Sequence, residues 1–246
     1  MSPPFLYQSI HKWLGRLRHV VKAFIYRSMQ NSDDTPSPTS AAPGRGRGRP
    51  RAFDRDAALT AAMRLFWQKG FAATSIADLT QAMGIGSPSL YAAFGSKEAL
   101  YAEALACYQR RYEDWVWGNF RAAPTARAAV AAYLMDSAAA LTAFCGRQEP
   151  LGCMVALSAV GSEGHAELGD MVRQARAAGC RFLEARLSRA VAEGEIPASV
   201  DLAALARLLV SVQAGMSIQA RDGATRDDLE AVARLTMQGW DGLIAG

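Results

Sequence analysis

Residues 83–100 read "MGIGSPSLYAAFGSKEAL", and this stretch limits the possible folds more than any other part of the chain. Gly84, Gly86, Pro88 and Gly95 fall within twelve positions. A helix interior loses about 1 kcal/mol at each Gly and about 3 at a Pro, so one continuous helix cannot run through it. The stretch must stop, turn, run about two helical turns and stop again. Its flanks supply the rest. In "DRDAALTAAMRLFWQKG" (54–70), Leu59, Ala62, Met63 and Phe66 form one apolar face, with Asp54 as cap, Asp56 in the first turn and Gly70 as the stop. In "TSIADLTQAMG" (74–84), Ser75 and Asp78 make a capping box, Ile76, Leu79 and Met83 point inward, and Gly84 takes the left-handed end. Ile85 is expected to be a buried plug in the turn. A third helix opens at Gly86 or Ser87, with Pro88 at its first position, and runs to about Phe94 with Leu90 and Phe94 inward. Gly95 ends it, and Ser96 caps a long fourth helix expected to reach about Gly118.

A helix, a tight Gly turn and a short second helix make a helix-turn-helix, whose second helix lays its N-terminal residues at the bases of the major groove. The residues of that helix that do not point inward, Ser87, Ser89, Ala92 and Ala93, are small enough for close backbone approach. Their hydroxyls and the free N–H groups at the helix start can meet phosphate. A plain three-helix core is the alternative. The preceding segment argues for DNA: in "RGRGRPR" (45–51), Arg45, Arg47, Arg49 and Arg51 alternate with Gly and Pro. Such a strand cannot pack a core but suits a narrow A·T-rich minor groove. Its "RGRP" resembles the core of an AT-hook. Charge agrees: residues 1–53 hold nine Lys/Arg against two Asp, while residues 54–246 hold eighteen Lys/Arg against twenty-one Asp/Glu. A basic front on a slightly acidic body points to a polyanionic partner, double-stranded DNA.

The run "AAMRLFWQKGFAATSIADLTQAMGIGSPSLYAAFGSKEALY" strongly resembles the DNA-binding domain of the TetR family of transcriptional regulators. Its KGF-x-x-T-S-I, L-x-x-A-x-G-I and S-L-Y-x-x-F-G-S-K-E-x-L pieces are specific in combination. The resemblance implies a homodimer that represses a nearby operon and releases DNA when a small-molecule inducer binds; the scattered cysteines read separately as reduced thiols of a cytoplasmic protein. It implies phosphate contacts at Thr74 and Lys97, a phosphate or base contact at Tyr91 (a core tyrosine being the alternative), and recognition-helix positions at Ser87 and Ser89. The chain departs from many relatives in having Ala93 before the Phe and no Lys or Arg near Ser87, so the Arg-rich arm is expected to compensate.

The whole 246-residue chain reads as all-α, with half its residues hydrophobic and Ala abundant in the second half. Four segments are expected: a basic amphipathic extension (1–30), a flexible linker with the Arg-rich arm (31–52), the three-helix helix-turn-helix DNA-binding domain (53–101), and a helical ligand-binding and dimerisation domain (102–246). Within residues 5–29, Leu6, Ile10, Trp13, Leu14, Leu17, Val20, Val21 and Phe24 alternate with His11, Lys12, Arg16, Arg18, His19 and Lys22, and there is no acid. That pattern can lie on an anionic membrane, or be an appendage with no essential role. Nowhere is an uninterrupted apolar run of the ~18 residues of a membrane span expected.

In the second half, a helix at about 125–145 is expected after the fourth. Trp115, Tyr133 and Phe144 are the aromatic candidates for lining an apolar ligand pocket, with ordinary core as the alternative for each. Cys145 and Cys153 flank a Gly/Pro-containing loop in "FCGRQEPLGCMVALSAV". Arg147, or a helix start, would favour a thiolate there. This resembles a TetR subgroup that senses electrophiles and reactive chlorine through cysteines near such a loop; two small buried hydrophobes is the other reading. Cys107 and Cys180 read as core, and His165 as a surface residue, with a hydrogen bond to a ligand as the alternative. The last helices, about 201–220 and 226–243, offer Leu202, Leu205, Leu209, Val212, Leu229, Val232 and Leu235 as a dimer seam, or as burial within one subunit. The four cysteines form no CxxC and no metal-ligand spacing, so no metal or cofactor is expected. Two rival readings remain: a membrane-surface-associated helical protein, and a cysteine-dependent enzyme. The enzyme reading lacks a visible Cys–His–Asp set.

Overall fold

The computed structural model describes residues 53–142 and 149–245. The amphipathic extension, the linker, Arg45, Arg47, Arg49 and Arg51, and also Phe144, Cys145 and Arg147, lie outside the described residues. Every element among the described residues is helical, as expected for an all-α chain: α1 (Arg55–Lys69), α2 (Ile76–Met83), α3 (Ser87–Phe94), α4 (Lys97–Ala122), α5 (Ala126–Leu141), α6 (Met154–Leu157), α7 (Ala166–Ala192), α8 (Leu202–Arg221), α9 (Arg226–Gln238) and α10 (Trp240–Ile244). They fall into two compact units. One runs to Met63 and resumes over Ser75–Ala106; the other holds Arg64–Thr74 and everything from Cys107 onward. α1 and α4 each run from one unit into the other.

In the first unit the helix ends follow the local sequence. Asp54 Oδ1 accepts from the N–H groups of Asp56 and Ala57 at 3.0 Å each, capping α1. At α2, Ser75 Oγ accepts from the Asp78 N–H at 3.0 Å, and Asp78 Oδ2 accepts from the Ser75 N–H at 3.0 Å, completing the capping box. Gly84 ends α2 at φ 66°, ψ 29°, a left-handed conformation that favours Gly. The N-cap of α3 is Gly86, which puts Ser87 rather than Pro88 at its first position. Leu79, Met83, Leu90 and Phe94 are buried. Ile85 is only half-buried and is no plug, because a residue in so short a turn has neighbours on one side only.

The core of the second unit gathers Phe120, Tyr133, Leu134, Leu183, Leu209 and Trp240, with others, from α4, α5, α7, α8, α9 and α10. α4 continues past Gly118 to Ala122, since Phe120 is buried in this core and holds the last turn helical. α5 stops at Leu141, short of the expected 145. α8, although Arg207 interrupts its apolar run, is long and apolar enough to cross a bilayer. Leu205, Leu209 and Met216 nonetheless lie in the core, so it serves as a core helix.

The seam expectation also needs correction. Leu205, Leu209 and Leu229 are buried inside this chain, and Leu202, Val212 and Val232 pack against the same core. The exposed apolar side chains of α8 and α9 are Leu208, Ile218 and Leu235, the last 69% exposed. α8 has two apolar faces, and helical periodicity cannot say which one turns inward.

Candidate nucleic-acid interface

α3 is eight residues long and anchored by Leu90 and Phe94, four apart on one face. Ser87, Ser89 and Tyr91 of the same helix are all exposed. Tyr91 is 46% exposed, which excludes a core role. Gly86 supplies no side-chain cap, so the first N–H groups of α3 have no capping side chain above them. A helix start with free N–H groups, two hydroxyls and no acidic residue suits close approach to phosphate. Lys97 opens α4, directly after the Gly95–Ser96 turn; Ser96 Oγ accepts from the Ala99 N–H at 3.0 Å.

Thr74 is placed differently from expectation. It is 0% exposed and precedes the α2 cap, and its hydroxyl donates to the Gly70 carbonyl at 2.6 Å. The side chain closes the turn after α1 and cannot reach a phosphate.

Sequence reasoning missed Arg55. Its Nη2 donates to Glu103 Oε1 and Oε2 at 2.8 and 2.9 Å and to the Ala93 carbonyl at 3.2 Å. Its guanidinium carbon lies 4.4 Å from the Phe94 ring centroid. One local signal existed: a cation at the first position of a helix opposes the helix dipole and needs a partner elsewhere.

In the second unit Cys153 is the N-cap of α6. Its Sγ accepts from the Ala156 N–H at 3.5 Å, and its own N–H donates to Ser217 Oγ at 2.8 Å. The half-buried thiol lies beside the buried Tyr108 phenol. Burial pushes that phenol well above its ordinary pKa, and the Cys153 sulfur adds to the shift. Burial likewise raises the Tyr133 phenol, with smaller contributions from Cys153 and Cys180.

Trp115 does not join Tyr133. It is 44% exposed and sits edge-on to Tyr112 at 5.9 Å, while Tyr133 stacks on Trp117 at 4.7 Å. Positions 115 and 117 are roughly 200° apart around α4, so one tryptophan faces out when the other faces in. Cys107 is buried as expected, but Cys180 is half-buried and donates to Glu184 at 3.5 Å. His165 is the half-buried N-cap of α7, its ring 4.5 Å from that of Phe71.

An exposed short helix behind a Gly turn, with a lysine opening the next helix, defines a helix-turn-helix DNA-binding regulator. The family model described as "Bacterial regulatory proteins, tetR family" matches residues 58–104. The HTH-type transcriptional repressor ComR of Escherichia coli (strain K12) is 37% identical over 202 residues, which cover 81% of this chain and 95% of ComR. The HTH-type transcriptional repressor BdcR of the same strain is 55% identical over 58 residues, 24% of this chain and 29% of BdcR. A solved structure of the TetR family transcriptional regulator CifR, a cysteine mutant complexed with 26bp double-strand operator DNA, is 40% identical with a TM-score of 0.73, covering 78% of this chain and 100% of that chain. The chain belongs to the tetR family of bacterial regulatory proteins. It is a DNA-binding transcriptional regulator, and neither the membrane-surface reading nor the cysteine-enzyme reading is favoured.

Proposed function

We propose that this protein is a cytoplasmic repressor that binds a palindromic operator as a homodimer and leaves it when an inducer acts on the helical half of the chain. The exposure of Ser87, Ser89 and Tyr91 on α3, while Leu90 and Phe94 hold the helix down, carries this reading. In it residues 53–101 are the DNA-binding domain and 102–246 the ligand-binding and dimerisation domain. Lys97 takes a phosphate, and Arg45, Arg47, Arg49 and Arg51 follow the minor groove beside the major-groove site. The repressor name of ComR and the operator bound to CifR support the same reading. Leu208, Ile218, Leu235 and Leu243, exposed on α8, α9 and α10, are the apolar side chains a second copy would cover.

For induction, Cys153 is the best-supported centre. It lies at a helix start, beside a buried phenol, a few residues beyond Cys145. Modification by an electrophile would insert a group where Tyr108 and Ser217 now meet the sulfur and its backbone, and packed helices answer such an insertion by shifting. α4 carries both Tyr108 and Lys97, so the same helix bears the sensor contact and the phosphate contact. A reversible apolar ligand beside Tyr133 is the competing inducer.

The test is to sequence genomic DNA captured by the full chain. The expected result is an inverted repeat with half-sites about 10 bp apart or a multiple of that. Capture without sequence preference would contradict the operator reading. Operator release by N-ethylmaleimide in wild type, and retention in a Cys145→Ser, Cys153→Ser variant, is the expected sign of the thiol switch. Equal release by both proteins would leave the reversible ligand.

A further inference from the structure

We infer that Arg55 is a positioning residue for the recognition helix: it fixes the C-terminal end of α3 between α1 and α4 and so sets the angle at which Ser87, Ser89 and Tyr91 are presented. The inference rests on the operator reading above, and it adds a specificity-determining residue that does not itself touch DNA.

α3 is held by few groups. Two buried side chains on one face of an eight-residue helix define an axis, and the helix can still rock about it. Its last turn also leaves carbonyls without helical partners. Gly95 returns its own N–H to the Tyr91 carbonyl at 2.9 Å, so the Ala93 carbonyl needs another donor. Arg55 supplies it at 3.2 Å. The guanidinium lies over Phe94, one of the two anchors, and its position is set by Glu103 in the second turn of α4.

One side chain thus ties the start of α1, the end of α3 and the body of α4. The placement is unfavourable for α1, because a cation at a helix start opposes the dipole. It is favourable for α3, whose negative end it faces. Arg suits this place and Lys does not: an ammonium can reach one oxygen but has no planar face to lay on Phe94.

The rival role is a direct phosphate contact, since Arg55 is partly exposed. Salt dependence separates the two, because each lost phosphate contact lowers the log–log slope by about 0.9. The experiment measures affinity for the captured operator and for a scrambled duplex across a salt series, using wild type, Arg55→Lys, Arg55→Met and Glu103→Gln. It is joined by amide hydrogen exchange of the DNA-free proteins. The expected result is that all three variants lose about tenfold in operator affinity, the order of one lost base contact. Scrambled-duplex affinity and the salt slope should stay as in wild type, and the α3 amides should exchange faster.

A wild-type-like Arg55→Lys together with a smaller slope in Arg55→Met would make Arg55 a phosphate contact and overturn the inference. So would unchanged α3 exchange in Arg55→Met. If wild type fails to prefer its operator, the operator reading fails, and the exchange measurement alone decides whether the clamp exists.

Discussion

The α2–α3 hairpin and the long helices of the second unit take their limits from different sources. α2 and α3 are eight residues each, and each end coincides with a local device: the Ser75–Asp78 box, Gly84, Gly86 and Gly95. α4 passes straight through Gly118, and α5 stops short of the end its sequence suggests. In the hairpin the chain's own neighbours decide where a helix stops. In the second unit, burial of residues such as Phe120 and Leu141 against distant helices decides it.

The comparison predicts unequal consequences. The largest concerns the anchors of α3. Leu90 is fully buried, and Leu90→Ala should cost about 2–5 kcal/mol, the range for emptied core sites, and remove operator preference with it. Thermal denaturation with operator binding checks both effects. In the second unit, Leu209→Ala should cost a similar amount of stability, while any α3-dependent preference of the remaining folded protein survives.

Glycines should respond with opposite sign in the two regions. Gly84→Ala forces a side chain into left-handed backbone and should cost about 1 kcal/mol. Gly118→Ala lies in a helix interior with nothing within 4 Å of the new Cβ, and should stabilise by about 0.5–1 kcal/mol. Shifts of the same sign in both variants would break the comparison.

This contrast also explains what could be read from the sequence. The caps at Asp54, Ser75 and Ser96, the left-handed turn at Gly84 and the inward pair Leu90 and Phe94 are short-range facts, written within four residues of where they act. So is the exposure of Ser87 and Ser89. Thr74 is different: its buried hydroxyl is satisfied by the Gly70 carbonyl, and in sequence a threonine that closes a turn looks like one that meets a phosphate. For Arg55 the local sequence shows only a cation at a helix start, while its partners lie 38 and 48 residues away. The inner and outer faces of α8 and the outward turn of Trp115 are hidden for the same reason: periodicity marks an apolar face without naming its neighbour.

The smallest expected effect is a pH dependence in the second unit. Glu149 is pushed up by burial, but its hydrogen bonds with Arg64, at 2.6 to 3.1 Å, hold it below the ordinary carboxylate range. A depressed carboxylate contributes stability that is present above its unfolded pKa of about 4.3 and lost as pH falls through the lower folded value. Arg64→Met should therefore lower the melting temperature slightly at neutral pH, and the gap to wild type should close below about pH 4. A gap independent of pH would assign the effect to packing alone.

The claim that α3 and the start of α4 form the DNA-reading surface is tested most directly by affinity for the captured operator and for a scrambled duplex of the same composition. Wild type and Lys97→Ala are compared across a salt series. Wild type should prefer the operator by about a thousandfold or more. Lys97→Ala should weaken both duplexes and lower the salt slope by about one. A wild type that binds both duplexes equally, or a Lys97→Ala variant with unchanged affinity and slope, contradicts the account.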